Sequence, residues 1–174
     1  MPDPTLLLDD YSAITAVPES APFVFTYCLK EPKLTDAVQK RVAKKMGLSC
    51  VTPQIAFHTW RFNAEQRVLG PSEWLGHIKQ ARFVVTNSFH GTIFCILLRK
   101  PFIAVGLSGS KRPLSDRLVS VLWRLGLSER LVWDYNEAEI DRLTRQPINW
   151  ASVGELLSFW RDEADVFLDE SLRA

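Results

Sequence analysis

Residues 82–101 constrain the fold more than any other part of the chain. Phe83, Val84, Val85 and Thr86 form a short apolar, β-branched stretch that reads as a buried strand. Ser88, His90, Gly91 and Thr92 follow at once, and the apolar residues 93–98 then read as a helix. A strand that feeds a helix in this way belongs to a crossover unit, whose next strand runs parallel to the first. The junction also has chemical potential. A helix amino end offers free backbone N–H groups and the positive end of its dipole, which suit phosphate or carboxylate. Gly91 lets the backbone approach closely, and His90 is the one side chain in the segment that exchanges a proton near neutrality. The same string also fits an ordinary turn and cap, with Ser88 or Thr92 satisfying orphan amides.

The pattern repeats along the chain. Strand signals fall at 23–28, 50–56, 82–86, 102–107 and 130–133. Helical signals fall at 34–46, with Thr35 as cap and Gly47 as stop, and at 72–80, 92–98 and 115–125. Alternation of this kind predicts an α/β fold, a Rossmann-like three-layer α/β/α arrangement with a mainly parallel sheet. Residues 150–172 carry Val153, Leu156, Leu157, Trp160, Ala164, Phe167 and Leu168 as a helical stripe. Domain boundaries follow: residues 1–20 as a linker, and 21–174 as one Rossmann-like domain ending in a helix over 150–172.

Ligands of such sheets bind beyond the carboxyl ends of the strands, which places loops 30–33, 57–71, 87–91 and 106–115 there. The second of these contains His58, Trp60, Arg61 and Phe62. The last is rich in glycine and serine, with Lys111 and Arg112 at its tip, and reads as a flexible basic loop. From Arg99 to Arg124 there are six basic residues and one acid, Asp116. That local excess suits phosphate binding, and equally suits a solvated surface loop.

Composition excludes several classes. With 47% hydrophobic and 24% charged residues the chain is an ordinary globular domain, and a formal charge of +1 argues against broad attraction to nucleic acid or membrane. The best apolar run is broken by Arg99, Lys100 and Pro101, short of a bilayer span. The amino-terminal residues lack a basic region followed by an apolar stretch, so no signal peptide is predicted and the expected location is the cytoplasm, with the inner membrane surface left open. Cys28, Cys50 and Cys95 are widely spaced in apolar stretches, and His58 and His77 lack ligand spacing to each other or to His90. No disulfide framework, metal or cofactor is expected.

The run from Pro71 to Thr92, continued by Lys100, Pro101, Phe102 and Ile103 and by residues 117–127, resembles the C-terminal half of the polysaccharide pyruvyl transferases. The opening stretch from Asp3 to Asp9 is similar to the segment of that family joining its first domain to its second. The Ser88–Thr92 core is the most specific part of the likeness. The resemblance implies a fold like the C-terminal domain of a GT-B-type transferase, and a reaction moving pyruvate from phosphoenolpyruvate onto sugar hydroxyls as a ketal. It further implies a sugar or lipid-linked oligosaccharide acceptor in the synthesis of exopolysaccharide or another cell-surface polysaccharide. A second domain or partner chain would supply the other wall of the cleft, and homo-oligomerisation stays open.

By that likeness His90 is the candidate acid, and Ser88, Gly91, Thr92, Lys111, Arg112 and Arg117 are candidate substrate-binding residues. Backbone amides of Gly91 and Thr92 would help to stabilise the departing phosphate. Two other readings share the architecture. A nucleotide-sugar glycosyltransferase domain would grip a ribose through an acid such as Asp116 or Glu129, and a non-catalytic module would dock a partner on an uncovered face.

Overall fold

The computed structural model describes residues 2–8, 10–19, 21–55 and 62–173. Among the described residues six strands form one sheet: β1 (Phe23–Tyr27), β2 (Ser49–Pro53), β3 (Glu65–Arg67), β4 (Phe83–Thr86), β5 (Phe102–Val105) and β6 (Leu131–Val132). Every pairing is parallel, and the order is β3-β2-β1-β4-β5-β6. The chain winds outward in both directions from the β1/β4 pair. Their carboxyl ends, Tyr27 and Thr86, therefore flank the point where the strand order reverses.

Six α-helices among the described residues cover the sheet: α1 (Pro32–Met46), α2 (Pro71–Gln80), α3 (Phe89–Leu97), α4 (Asp116–Arg124), α5 (Glu137–Arg145) and α6 (Trp150–Arg173). Right-handed crossovers that leave the centre in opposite directions must place their helices on opposite faces. Accordingly α1 and α5 close one face, where Val38, Val42, Ile140 and Leu143 pack on Val24, Val85 and Ile103. The other face holds α2, α3, α4 and α6, with Ile78, Ile93, Leu122 and Trp160 over Phe25, Val84 and Phe102. The strands β1, β4 and β5 are buried along nearly their whole length, as their apolar runs require.

The amino-terminal segment joins this second face. Leu6, in a short 3-10 turn over Pro4–Leu7, is fully buried in the core, and Arg161 of α6 donates to the carbonyls of Leu6 and Leu8.

Several elements depart from expectation. Helix α1 starts with Pro32 at its first position, behind Glu31 in a left-handed conformation (φ 48°), so Thr35 is a buried interior residue and not a cap. Gly47 does end that helix, at φ 66°. Strand β2 stops at Pro53, and Ala56 falls outside the described residues, as do His58, Trp60 and Arg61. Strand β3 forms within the stretch expected as loop, and α5 was not anticipated. Helix α3 begins at Phe89, three residues earlier than expected, which places His90 in its first turn. The basic segment expected as a flexible loop is a 3-10 helix over Gly109–Ser115, anchored by the Ser115 hydroxyl, which accepts from the Leu107 amide at 3.0 Å.

Candidate functional site

The switch point is built by the loops after β1 and β4, and Asn87 ties them together. Its Oδ1 accepts from the Leu29 amide at 2.8 Å, while its amide nitrogen donates to the Lys30 carbonyl and to Cys28 Sγ. Beneath it, the Thr86 hydroxyl donates to the Tyr27 carbonyl at 2.7 Å and accepts from the Ser88 amide at 3.0 Å. These bonds fix the angle at which α3 leaves the sheet.

Ser88 then caps the helix. Its hydroxyl accepts from the Gly91 amide at 3.2 Å, and its carbonyl accepts the Thr92 amide at 3.0 Å and the Thr92 hydroxyl at 3.1 Å. Ser88, Gly91 and Thr92 are all buried. A β-carbon on Gly91 would lie 2.6 Å from Thr86 Oγ1 and 3.3 Å from the Tyr27 ring, so the close approach that glycine permits here is of helix to strand ends. With Gly91 and Thr92 satisfied internally, the amides of Phe89 and His90 are the ones at this helix start with no acceptor among the described residues.

His90 itself is exposed, its side chain 55% accessible, and Nε2 lies 3.9 Å from Asp3 Oδ2. The same carboxylate receives an Arg117 guanidinium N–H at 2.8 Å and the Thr5 amide and hydroxyl at 3.1 and 2.6 Å. Arg117 also lies over the Phe89 ring, 3.7 Å from its centroid. Burial pushes the Asp3 carboxyl up, but the Thr5 hydroxyl and amide, with the charges of His90 and Arg117, outweigh it and hold Asp3 below its ordinary value. Asp3 is thus an anion fixed between an imidazole and a guanidinium. Sequence reasoning did not single it out as a site residue. Its one local signal is Thr5 two residues on, which marks an Asx turn.

Lys111 and Arg112 belong to a second cluster on the same edge. Glu31 accepts from the Ser108 amide and hydroxyl at 2.9 and 3.0 Å and pairs with Lys111 at 3.4 Å. These bonds, the Ser108 amide first, hold Glu31 below its ordinary value. Arg112 stacks over Trp133, 4.3 Å from the ring. A hollow of about 320 Å³ lies beside this cluster, bounded by Glu31, Pro32, Leu34, Gly106 and Ser108. The structure therefore brings His90 and Arg117 together around Asp3, and holds Lys111 and Arg112 around Glu31 and Trp133. The positive excess from Arg99 to Arg124 is partly compensated by acids from elsewhere in the chain: Asp3, Glu31, and Glu163, which pairs with Arg124.

His77 is buried in α2. Its Nδ1 donates to the Glu73 carbonyl at 2.7 Å and Nε2 accepts from Arg67 at 3.2 Å, which defines one neutral tautomer. All three cysteines are buried. Burial raises their thiols, that of Cys50 to about 11, which leaves them poor nucleophiles. Among the described residues no group of three or more His, Cys, Asp or Glu could hold a metal ion, and no helix is long and apolar enough to cross a membrane.

Two solved structures are similar to this chain. The glycotransferase of kitacinnamycin superposes with a TM-score of 0.52 at 15% identity, over 89% of this chain and 44% of that one. Spinosyn forosaminyltransferase SpnP gives 0.47 at 11% identity, over 83% and 42%. The chain thus spans less than half the length of either, and the first likeness establishes the fold, a Rossmann-like layer sandwich of GT-B type. No curated protein sequence matches the chain. The model of the polysaccharide pyruvyl transferase family matches residues 1–109, a span that includes Asp3, Glu31 and the whole β4–α3 junction. The chain belongs to the polysaccharide pyruvyl transferase family.

Proposed function

We propose that this chain provides the donor side of a pyruvyl transfer site, in which pyruvate passes from phosphoenolpyruvate to sugar hydroxyls as a ketal. The observation that carries the reading is the Asp3, His90 and Arg117 cluster at the start of α3, beside the sheet's switch point. Phosphoenolpyruvate is an enol phosphate with two anionic ends. Its capture needs cationic and N–H donors, and its activation needs a proton on the methylene carbon.

His90 in its protonated form supplies that proton, with the Asp3 carboxylate 3.9 Å from its Nε2. Protonation breaks the enol double bond and leaves the adjacent carbon electron-poor. One sugar hydroxyl adds there and loses its proton. The phosphate then leaves with the electron pair of its carbon–oxygen bond, and a second hydroxyl adds to close the ketal. Of the two hydroxyl protons released, one replaces the proton given by His90 and the other departs with the phosphate.

Arg117 and the free amides of Phe89 and His90 are placed to bind one anionic end, with Lys111 and Arg112 on the same edge for the other. Ser88, Gly91 and Thr92 build the turn that aims His90. The acceptor is a sugar or lipid-linked oligosaccharide, and a further domain or chain completes the cleft.

A thermal-shift titration of the wild type and of His90→Ala with phosphoenolpyruvate, phosphate and nucleoside diphosphates tests the reading. A ligand at a hundred times its Kd stabilises the fold by about 2.7 kcal/mol. Phosphoenolpyruvate is expected to raise the Tm of the wild type and not that of His90→Ala. Stabilisation by a nucleoside diphosphate alone would replace the donor with a nucleotide sugar, and full transferase activity in His90→Ala would remove the assignment of the acid.

A further inference from the structure

The opposite edge of the sheet carries a second concentration of positive charge with a different character. A hollow of about 480 Å³ opens at the amino ends of β4 and β5, lined by Arg82, Arg99, Lys100 and Arg145 with Thr144 and Gln146 beside them. Among the described residues no aspartate or glutamate lines it. None of the four cations makes an ion pair among the described residues, and of their side chains only that of Arg145 has a hydrogen-bond partner there, the Asp141 carbonyl at 3.2 Å. The neighbouring acid, Asp141, is already held by Arg41 at 2.6 Å and Lys45 at 3.1 Å.

Helix dipoles do not account for the arrangement. Four helices, α1, α2, α3 and α5, end close to this hollow, and their carboxyl ends contribute together a charge of roughly −2. Against four cations this leaves the hollow positive by about two charges. Burial lowers the proton affinity of Lys100; Cys95 opposes it, and the charges of Arg82 and Lys79 add smaller effects in the same direction as burial.

Arg99 adds a conformational argument. It follows the C-cap of α3 with φ 50°, the left-handed position that glycine occupies without strain. An arginine there costs roughly as much as any other residue with a β-carbon, and its side chain is exposed at the rim. The guanidinium is what that position gains in exchange.

We propose that this hollow is a binding site for a phosphate-bearing anion of at least two negative charges, separate from the carboxyl edge and independent of the reaction assigned there. Its concave shape and fork-shaped arginine donors fit phosphoryl oxygens. Either a soluble polyphosphate or the phosphate headgroup of a lipid presents that chemistry.

The probes are inorganic tripolyphosphate, followed by calorimetry, and sedimentation with vesicles of phosphatidylcholine containing phosphatidic acid, against pure phosphatidylcholine. The variant is Arg99→Gly with Arg145→Gln. Glycine relieves the left-handed position and the second change is at an exposed helix end, so an unchanged circular dichroism spectrum is expected and is recorded first. Lys111→Gln, at the other edge, is the control. The wild type and the control are expected to bind, and the double variant to lose about tenfold in affinity for each charge removed. Loss confined to tripolyphosphate assigns a soluble ligand, and loss confined to phosphatidic acid vesicles assigns a headgroup. Absence of binding to both probes by the wild type, equal binding by the double variant, or an equal loss in Lys111→Gln would overturn the proposal.

Discussion

The two edges of the sheet carry similar positive charge and treat it in opposite ways. At the carboxyl edge Arg117 is matched by Asp3, Lys111 by Glu31, and Arg112 rests on Trp133. At the amino edge Arg82, Arg99, Lys100 and Arg145 surround a hollow with no carboxylate in its lining. Pairing fixes the position of a cation and spends part of its field. An unpaired cluster keeps the field and leaves the side chains mobile. Chemistry on a small substrate needs the first arrangement, because misplacement of reacting groups is costly in rate. Attraction of an anion needs only the second.

The comparison holds only if the carboxyl edge is built by tertiary packing. The largest expected effect is therefore on Leu6, whose burial pins the segment that carries Asp3. Leu6→Ala is expected to lower the unfolding free energy by about 2–5 kcal/mol in urea denaturation. A loss below about 1 kcal/mol would mean that the segment is not part of the core.

Gly91→Ala comes next. The added methyl meets Thr86 Oγ1 at 2.6 Å and the Tyr27 ring at 3.3 Å, and the Thr86 side chain, held by its bonds to the Tyr27 carbonyl and the Ser88 amide, must give way. A cost of about 1–3 kcal/mol is expected by the same measurement, together with weaker phosphoenolpyruvate binding. A variant with wild-type stability would show that the junction is looser than its geometry.

Asp3 tests the electrostatic half of the comparison. Its carboxyl titrates lower in the folded chain than in the unfolded one, so its contribution to stability is present above its unfolded pKa and is lost as pH falls through the folded value. Tm measured across the window below about pH 4 should fall more steeply for the wild type than for Asp3→Asn. Equal slopes would remove Asp3 as an ion fixed between His90 and Arg117.

The smallest effects contrast the edges directly. Lys111→Gln removes one partner of an exposed ion pair and should leave Tm unchanged. Arg99→Gly should raise stability by up to about 1 kcal/mol, because it relieves a left-handed residue and breaks no ion pair. A clear drop in either would show that the charges of that edge support the fold.

The elements legible in the sequence are those whose apolar pattern is written locally. Strands β1, β4 and β5 are runs of buried apolar residues, and Gly47 stops α1 in the conformation that glycine favours. Strand β3 escaped because Glu65, Gln66 and Arg67 sit on an edge and carry no alternation. Helix α5 escaped because Ile140 and Leu143 are its only fully buried apolar residues amid charged neighbours. The cap of α1 was misplaced because Pro32, not a side-chain acceptor, begins the helix.

The site divides along the same line. The β4–α3 junction with Ser88, His90 and Gly91 is continuous in sequence and could be read there, since a strand end, a cap and a helix start are local features. Its partners could not. Asp3 reaches Arg117 across 114 residues, and Glu31 reaches Ser108 across 77. The sequence by itself determined a parallel α/β layer fold and a histidine at one strand end, because hydrophobic period and capping act over a few residues. Only the tertiary structure decided which carboxylate faces that histidine, which cations are paired and which stand in an open hollow. Coulomb pairing depends on distance in space, and the order of the strands sets that distance.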